Sequence, residues 1–232
     1  KVKGSAVNPV LREGNSDRRA PGSVKAYARK HPHVNKAFAA GSKTRVATMS
    51  KDDFFSNEKS VVFGAADVLN IRHIAADGSV TELKTGLKVL EGEIVDATFM
   101  NAAALDEFLA GTLAQAKADD VLYSLHLKAT MMKVSDPILF GHVVKAFFAN
   151  VFAKYGDDLA AAGLSANDGL ASILAGLSSV ANGEQIAAEF TAALSQGPRL
   201  SYTNSDKGIT NLHVPSDVIV DASMPALIRN GG

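Results

Sequence analysis

Strand patterns and helix patterns follow one another along this chain, and their mixture is the feature that most constrains its fold. Residues 68–74 and 80–84 alternate apolar and polar side chains around Asp77-Gly78, a type I′ turn signal, and so predict a β-hairpin. Residues 93–99 predict a third strand. Residues 121–127 are dense enough in apolar groups to form a central strand of a sheet.

Helix patterns occupy most of the second half. Asn101 is a typical N-cap, and the apolar residues that follow it fall on one helical face: Leu105, Phe108, Leu109, Leu113 and Ala116. Further helices are predicted over residues 138–155, ended by Gly156, over residues 169–180, and over residues 184–195, closed by Gly197-Pro198. Short strands are predicted near residues 200–203 and 218–220. The sequence therefore predicts an α/β fold in which a mixed sheet is flanked by helices.

Composition limits the class of protein. With 232 residues, 47% hydrophobic and 21% charged, the chain can bury a substantial core. No apolar run reaches the roughly 18 residues that a membrane span needs, so no membrane partner is expected. The absence of cysteine excludes disulfides and thiolate metal sites. A cytoplasmic location is the expectation.

Positive charge is concentrated at the start of the chain. The first 45 residues hold eleven lysines and arginines against Glu13 and Asp17, although the whole chain has 24 basic and 24 acidic residues. A local basic segment on a neutral protein can steer anions into one cleft, whereas nucleic-acid binders usually carry a basic balance over the whole domain. The alternative is a solvated basic face.

Residues 4–21 give this segment the character of a polar ligand surface. Arg12, Arg18 and Arg19 offer planar sets of N–H donors that match carboxylates two bonds at a time. Ser5 and Asn8 add neutral donors. A ligand with several carboxylates or phosphates would fit here.

Residues 126–137 hold a second group of reactive side chains. Lys128 stands where the predicted 121–127 strand ends, and α/β sheets commonly place binding sites at such ends. A lysine at this position is either a catalytic group or, as is commoner, a solvated surface group.

Residues 202–225 are too rich in polar groups for a simple connector. Asp206, Asp217 and Asp221 carry oxygen donors suited to Mg²⁺ or Mn²⁺, although Asp206 and Asp217 also fit routine turns and caps. Asp221 follows the apolar residues 218–220, where an unpaired carboxylate would be costly. His31-Pro-His33 is only weak evidence for zinc, and no glycine-rich phosphate loop is present.

Three of these stretches, residues 4–19, 126–138 and 205–225, closely resemble the monomeric-type NADP-dependent isocitrate dehydrogenases of bacteria. The similarity also runs through residues 26–33 and 57–60, but the sequence departs from the family pattern at residues 34–41. Members of that family are several times longer. The resemblance therefore implies an internal piece, with residues 1–20 ending the small domain and residues 21–232 forming the first part of the large domain.

The resemblance implies a role for each candidate residue. Isocitrate would be bound by Ser5, Asn8, Arg12 and Arg18. Lys128 would assist proton transfer near the C2 hydroxyl group, and Asp221 would be one ligand of Mg²⁺ or Mn²⁺. The NADP site would lie outside this chain, so the chain alone is expected to be inactive. Its partners would be the remainder of the parent chain and, through exposed apolar surface, further copies of itself.

Two other functions compete with this interpretation. One is a non-catalytic tricarboxylate-binding or regulatory module. The other, which the neutral net charge disfavours, is a nucleic-acid-binding domain that uses the basic start of the chain and would show steeply salt-dependent binding.

Overall fold

A computed structural model describes residues 21–32, 34–128 and 134–231, except for the side chains of Asp221 and Ala222. The chain divides into two compact units, one formed by the described parts of residues 1–42 and 220–232 and the other by residues 43–219. Within the described residues, helices and strands are mixed, as the sequence predicts. None of the helices described is both long and apolar enough to cross a membrane.

The described part of the first unit contains two helices. Helix α1 spans Gly22–Lys30 and begins after Pro21, whose carbonyl accepts the Lys25 N–H at 3.1 Å. The last helix, which closes the chain, spans Val220–Asn230. It ends at Gly231, which has a φ of +90° and lies so close to Ala37 that an added Cβ would be 2.7 Å from the Ala37 carbonyl oxygen.

This last helix replaces the strand predicted at residues 218–220. Val220 is its first residue, so Asp221 lies in the first turn of a helix and not at the end of a strand. A run of three β-branched residues is too short to distinguish a strand from the approach to a helix.

The second unit begins with two β-ribbons. Strand β1 (Lys59–Val62) pairs antiparallel with β4 (Ile94–Ala97), and between them in the sequence β2 (Asp67–Ile74) pairs antiparallel with β3 (Val80–Val89). Both the predicted hairpin and the predicted third strand are confirmed. The two ribbons are separate sheets.

The turn of the β2–β3 hairpin is not of type I′. Gly78 has a φ of +82°, but Asp77 does not have the positive φ that this turn type requires. The Gly78 N–H donates to Ala75 O and the Ala75 N–H to Ser79 O, both at 2.9 Å, which is the pattern of a three-residue loop. The Asp77 carboxylate accepts the Ser79 N–H at 2.9 Å and stabilises that alternative.

Helix α2 (Ala102–Asp119) matches its prediction. The Asn101 side chain accepts the Ala104 N–H at 3.2 Å, which caps the helix. Leu105, Leu109 and Leu113 are buried on one face, as the spacing requires.

The helix predicted over residues 138–155 is divided into two helices in the structure. Residues 138–155 are divided between α3 (Ser135–Phe147) and α4 (Ala149–Ala161), and Gly156 lies inside α4 instead of ending a helix. The chain bends at Phe148, which is 1% exposed and packs its ring at 4.9 Å from Phe147 and 5.0 Å from Phe190. The packing of the buried Phe148 ring against those of Phe147 and Phe190 favours the bend over a continuous straight helix.

Four further elements complete the described helical part of this unit: the 3₁₀ turn Ala166–Asp168, α5 (Leu170–Gly176), the 3₁₀ turn Leu177–Ser179 and α6 (Gly183–Gln196). The predicted end of α6 at Gly197-Pro198 is confirmed. The core of the unit lies among α2 to α6, where Val144, Leu170, Ile173, Ile186 and Phe190 are fully buried. The last helix of the chain, described above, is α7.

The predicted mixed sheet is not present among the described residues. They form three two-stranded antiparallel sheets, the third pairing β5 (Tyr202–Asn204) with β6 (Ile209–Thr210). Residues 121–127 are not a central strand and form one parallel bridge, between Tyr123 and Leu200. Their apolar character has another cause, which is packing against the helical core.

Candidate functional site

The segment of residues 121–128 carries Lys128 and separates apolar from polar side chains. Tyr123, Leu125 and Leu127 pack against the core. Ser124, His126 and Lys128 occupy the alternate positions, which in a strand-like backbone face the opposite side. The segment therefore has an apolar side, which packs against the core, and a polar side formed by Ser124, His126 and Lys128.

Four hydrogen bonds hold this segment from one side. The Tyr123 N–H donates to Arg199 O at 2.7 Å, and Tyr123 O accepts the Ser201 N–H at 3.0 Å. Leu125 O accepts from Asn211 Nδ2 at 2.9 Å, and Leu127 O accepts the Val218 N–H at 3.0 Å. Because every second residue is bonded, the segment is fixed as an outer strand would be.

Lys128 is half-buried, and its backbone is bonded to the start of α3. Its N–H donates to Asp136 Oδ2 at 3.0 Å. Within the described parts of the chain, no carboxylate forms an ion pair with the Lys128 ammonium group. An ammonium group that has no ion-pair partner of this kind can receive an anionic ligand.

His126 is a second ionisable group on the polar side of this segment. Its Nε2 atom lies 2.9 Å from Ser124 Oγ, which accepts a hydrogen bond from Ser201 Oγ at 3.1 Å. Burial lowers the pKa of His126 and so favours the neutral ring, which can accept the Ser124 proton at Nε2. The sequence shows His126 as part of a reactive stretch, but nothing in the pattern indicates the serine pair.

A buried turn at residues 210–213 is hydrogen-bonded to this segment through Asn211. His213 is 9% exposed, and its Nδ1 atom accepts the Thr210 N–H at 2.9 Å. Burial also lowers the pKa of His213. The same turn satisfies the start of α5, because Leu212 O and His213 O accept the Leu170 and Ala171 N–H groups at 3.1 and 3.0 Å.

Asn211, in this turn, is 5% exposed and joins it to the Lys128 segment through the bond to Leu125 O. Among the residues described, no donor reaches its Oδ1 atom. Its importance could not be found in the sequence, where it is one of many polar residues between positions 202 and 225.

The predicted site residues are only partly within the described structure. Ser5, Asn8, Arg12 and Arg18 lie outside the described residues. Asp221 is placed as part of the α7 backbone, without its side chain. The structure thus locates Lys128 in detail, and the assembly of all six residues into one site stays a prediction.

Metal ligands do not converge in the described part of the chain, where no three histidine or carboxylate side chains could hold an ion together. Asp206 lies in the turn between β5 and β6, as expected for a turn residue. His31 stacks on Tyr27 with ring centroids 4.3 Å apart, and His33 is outside the described residues.

A groove of about 470 Å³, whose lining does not include Lys128, is formed by the C-terminal part of α2, the α3–α4 bend and the end of α6. Its lining is mostly apolar, with Lys117, Asn150 and Gln196 as the polar members. This set has no group suited to acid–base or metal chemistry apart from one lysine.

Comparison with known proteins gives a consistent result. All of residues 1–232 match the family model for monomeric isocitrate dehydrogenase. The chain is 63% identical over 231 residues to an isocitrate dehydrogenase (NADP) of Corynebacterium glutamicum, covering 100% of this chain and 31% of that protein. It is 53% identical to the isocitrate dehydrogenase (NADP) of Azotobacter vinelandii, with 100% and 32% covered, and 43% identical to isocitrate dehydrogenase (NADP) 2 of Mycobacterium tuberculosis, with 99% and 31% covered. The chain spans about a third of the length of these relatives.

Proposed function

The chain belongs to the monomeric isocitrate dehydrogenase family, and we propose that the protein carrying it oxidises isocitrate with NADP⁺ and releases 2-oxoglutarate and CO₂. The observation that carries this proposal is the match along the whole chain at up to 63% identity with proteins of that name. The half-buried Lys128, without an ionic partner among the described residues, supports it.

In this proposal the arginines bind the carboxylates of isocitrate. Arg12 and Arg18 each present parallel N–H groups, so one side chain can hold both oxygens of a carboxylate. Ser5 and Asn8 would fix the orientation of the substrate through neutral hydrogen bonds. Cationic groups are needed because isocitrate carries three negative charges that must leave water together.

Lys128 would act on the C2 hydroxyl group. When the hydride leaves C2 for NADP⁺, the hydroxyl oxygen must lose its proton, and Lys128 Nζ would accept it after the ammonium group has released a proton of its own to water. Holding the backbone of the lysine through Leu127 O and the Lys128 N–H leaves only its side-chain torsions to be ordered when substrate binds.

A divalent cation, Mg²⁺ or Mn²⁺, would polarise the developing C2 carbonyl group and the carboxylate that is lost. Asp221 would supply one ligand. Since the described residues bring no three ligands together, they do not form a complete site, and the other ligands and the NADP site are proposed to lie elsewhere in the longer protein. The domain division at residue 20 and the cytoplasmic location stay predictions.

The alternative is a binding or regulatory module that holds a tricarboxylate without reacting it. Both functions predict isocitrate binding, but only the dehydrogenase predicts NADPH formation. The test is to measure NADP⁺ reduction by the complete protein with isocitrate and Mg²⁺, and isocitrate binding by titration calorimetry in parallel. Tight binding without turnover in the complete protein would favour the module.

A further inference from the structure

Both oxygens of the Asp136 carboxylate accept hydrogen bonds, and one of the two donors is the backbone N–H of Lys128. Oδ2 accepts the Lys128 N–H at 3.0 Å, and Oδ1 accepts the Ser135 hydroxyl proton at 3.0 Å. Asp136 lies in the first turn of α3 and is half-buried. Its orientation is therefore set by two donors.

This use of the carboxylate is not the common one for an acidic residue at a helix start. Such residues usually cap their own helix, but the N-cap position of α3 is Val134, which makes no side-chain cap bond. The partial positive charge at the N-terminus of α3 stabilises the Asp136 carboxylate. Its hydrogen bonds, however, are made with the Lys128 N–H and the Ser135 hydroxyl group. A hydrogen bond to a charged group is stronger than a neutral one.

The hydrogen bond from the Lys128 N–H to Asp136 matters because the Leu127 C=O of the same peptide unit is also bonded. The N–H of Lys128 and the C=O of Leu127 belong to one planar trans peptide and point in opposite directions. Leu127 O accepts the Val218 N–H at 3.0 Å, while the Lys128 N–H donates to Asp136. The peptide plane that precedes Lys128 is thus held from both sides, and with it the direction in which the side chain leaves the backbone.

We propose that Asp136 is a positioning residue that aims the Lys128 side chain, an inference that rests on the proton-transfer role proposed for Lys128. Asp136 acts through the backbone of Lys128, and not by contact with substrate. A lysine whose peptide plane can rotate samples more directions for its ammonium group, and a displacement of about 1 Å can cost on the order of 10²-fold in rate.

The test compares Asp136→Ala with Asp136→Asn in the complete protein. The asparagine keeps an oxygen that can accept the Lys128 N–H but carries no charge, and the serine hydroxyl can rotate to accept from its amide. We expect Asp136→Ala to lower kcat at least about 10-fold with a KM for isocitrate changed less than about threefold, and Asp136→Asn to stay within about threefold of the wild-type kcat. Glu184→Ala is the matched control, because it removes an exposed carboxylate from the first turn of α6.

Amide hydrogen exchange provides a readout that does not depend on catalysis. The Lys128 amide should exchange faster in Asp136→Ala than in the wild type, and at the wild-type rate in Asp136→Asn and Glu184→Ala. If Asp136→Ala does not fold, Asp136→Glu, which keeps the charge and displaces the acceptor by one methylene group, takes its place in both measurements.

Two results would overturn the inference. One is an equal loss of kcat in Asp136→Asn and Asp136→Ala with the amide protected in both, since the charge and not the hydrogen bond would then matter. The other is a Lys128 amide that exchanges at the wild-type rate in Asp136→Ala. A wild-type protein that does not oxidise isocitrate would contradict the proposed function, and the exchange comparison would still decide whether Asp136 holds the Lys128 peptide.

Discussion

Asn211 Nδ2 donates a hydrogen bond of 2.9 Å to the carbonyl oxygen of Leu125, 86 positions earlier in the chain. Asn211 is 5% exposed and Leu125 is partly buried, so this bond is partly shielded from water. It joins the buried turn at residues 210–213 to the segment that carries Lys128. Two regions far apart in sequence are thereby held in one arrangement.

Replacing Asn211 with alanine should lower the free energy of unfolding by about 1–3 kcal/mol, because Leu125 O would lose its buried donor. Urea denaturation of the two proteins measures this difference. The control is Asn150→Ala, which removes an exposed amide from the first turn of α4 and should change stability by less than about 0.5 kcal/mol. Equal effects of the two substitutions would show that the Asn211 bond contributes nothing.

Lys128→Met should lower kcat for isocitrate oxidation by at least about 10², the lower range for the loss of one acid–base group, and leave the melting temperature little altered. Methionine keeps most of the length of the side chain without its charge. Steady-state kinetics and thermal melting of the complete protein test this. If kcat survives in Lys128→Met and is abolished in Lys133→Met, the role belongs to the other lysine of the stretch.

Gly169→Ala should destabilise the fold by at least about 2 kcal/mol. Gly169 has a φ of +85°, and an added Cβ would stand 2.2 Å from His213 O, which accepts the N–H of Ala171. Gly163 has a φ of +72° with no atom within 4 Å of an added Cβ, so Gly163→Ala has the conformational cost alone. Comparing the two by urea denaturation separates the steric clash from backbone strain, and identical losses would exclude the clash.

His213 should make the free energy of unfolding fall as the pH is lowered below about 6.5. Burial lowers the pKa of His213 in the folded state, so the unfolded chain binds the proton first as the pH falls below its ordinary value of about 6.5. This contribution is present above that pH and is lost as the pH falls through the folded-state pKa. Urea midpoints measured between pH 7.5 and pH 5 (roughly the range in which a histidine titrates) should fall less steeply for His213→Gln than for the wild type. A replacement of the exposed His73 with glutamine is the control, and an unchanged slope in His213→Gln would contradict the assignment.

Exposed apolar strand residues should make the isolated chain self-associate. Val62 and Ile94 are directly opposite each other in the β1–β4 ribbon, and each is 65% exposed. Cross-strand pairs of this kind lie on one face and form a common apolar surface. We expect light scattering to show a mass that rises with concentration, and less so in the double variant Val62→Thr, Ile94→Thr. A strict monomer at high concentration would rule the association out.

The sequence identifies the residues around Lys128 more readily than it identifies their partners. The sequence places Lys128 after the apolar run 121–127, but it predicts a central strand there and does not separate Tyr123, Leu125 and Leu127, which pack against the core, from the polar positions between them. It does not reveal Asp136, because a carboxylate at a helix start fits the usual pattern of a first helical turn. Nor does it reveal Asn211, whose amide is indistinguishable in the sequence from its polar neighbours.

What the sequence by itself determined is local: the β2–β3 hairpin, the capped helix α2 with its buried face, and the ends of α6 follow from turn residues, caps and periodicity within about ten positions. What only the tertiary structure decided depends on residues far apart. The bend at Phe148 exists because its ring packs against Phe190, and residues 121–127 are held by Arg199, Ser201 and Asn211 instead of by neighbouring strands. Such contacts are made only after the chain has closed long loops, and the energy that selects them comes from burial and hydrogen bonds that no short window of sequence contains.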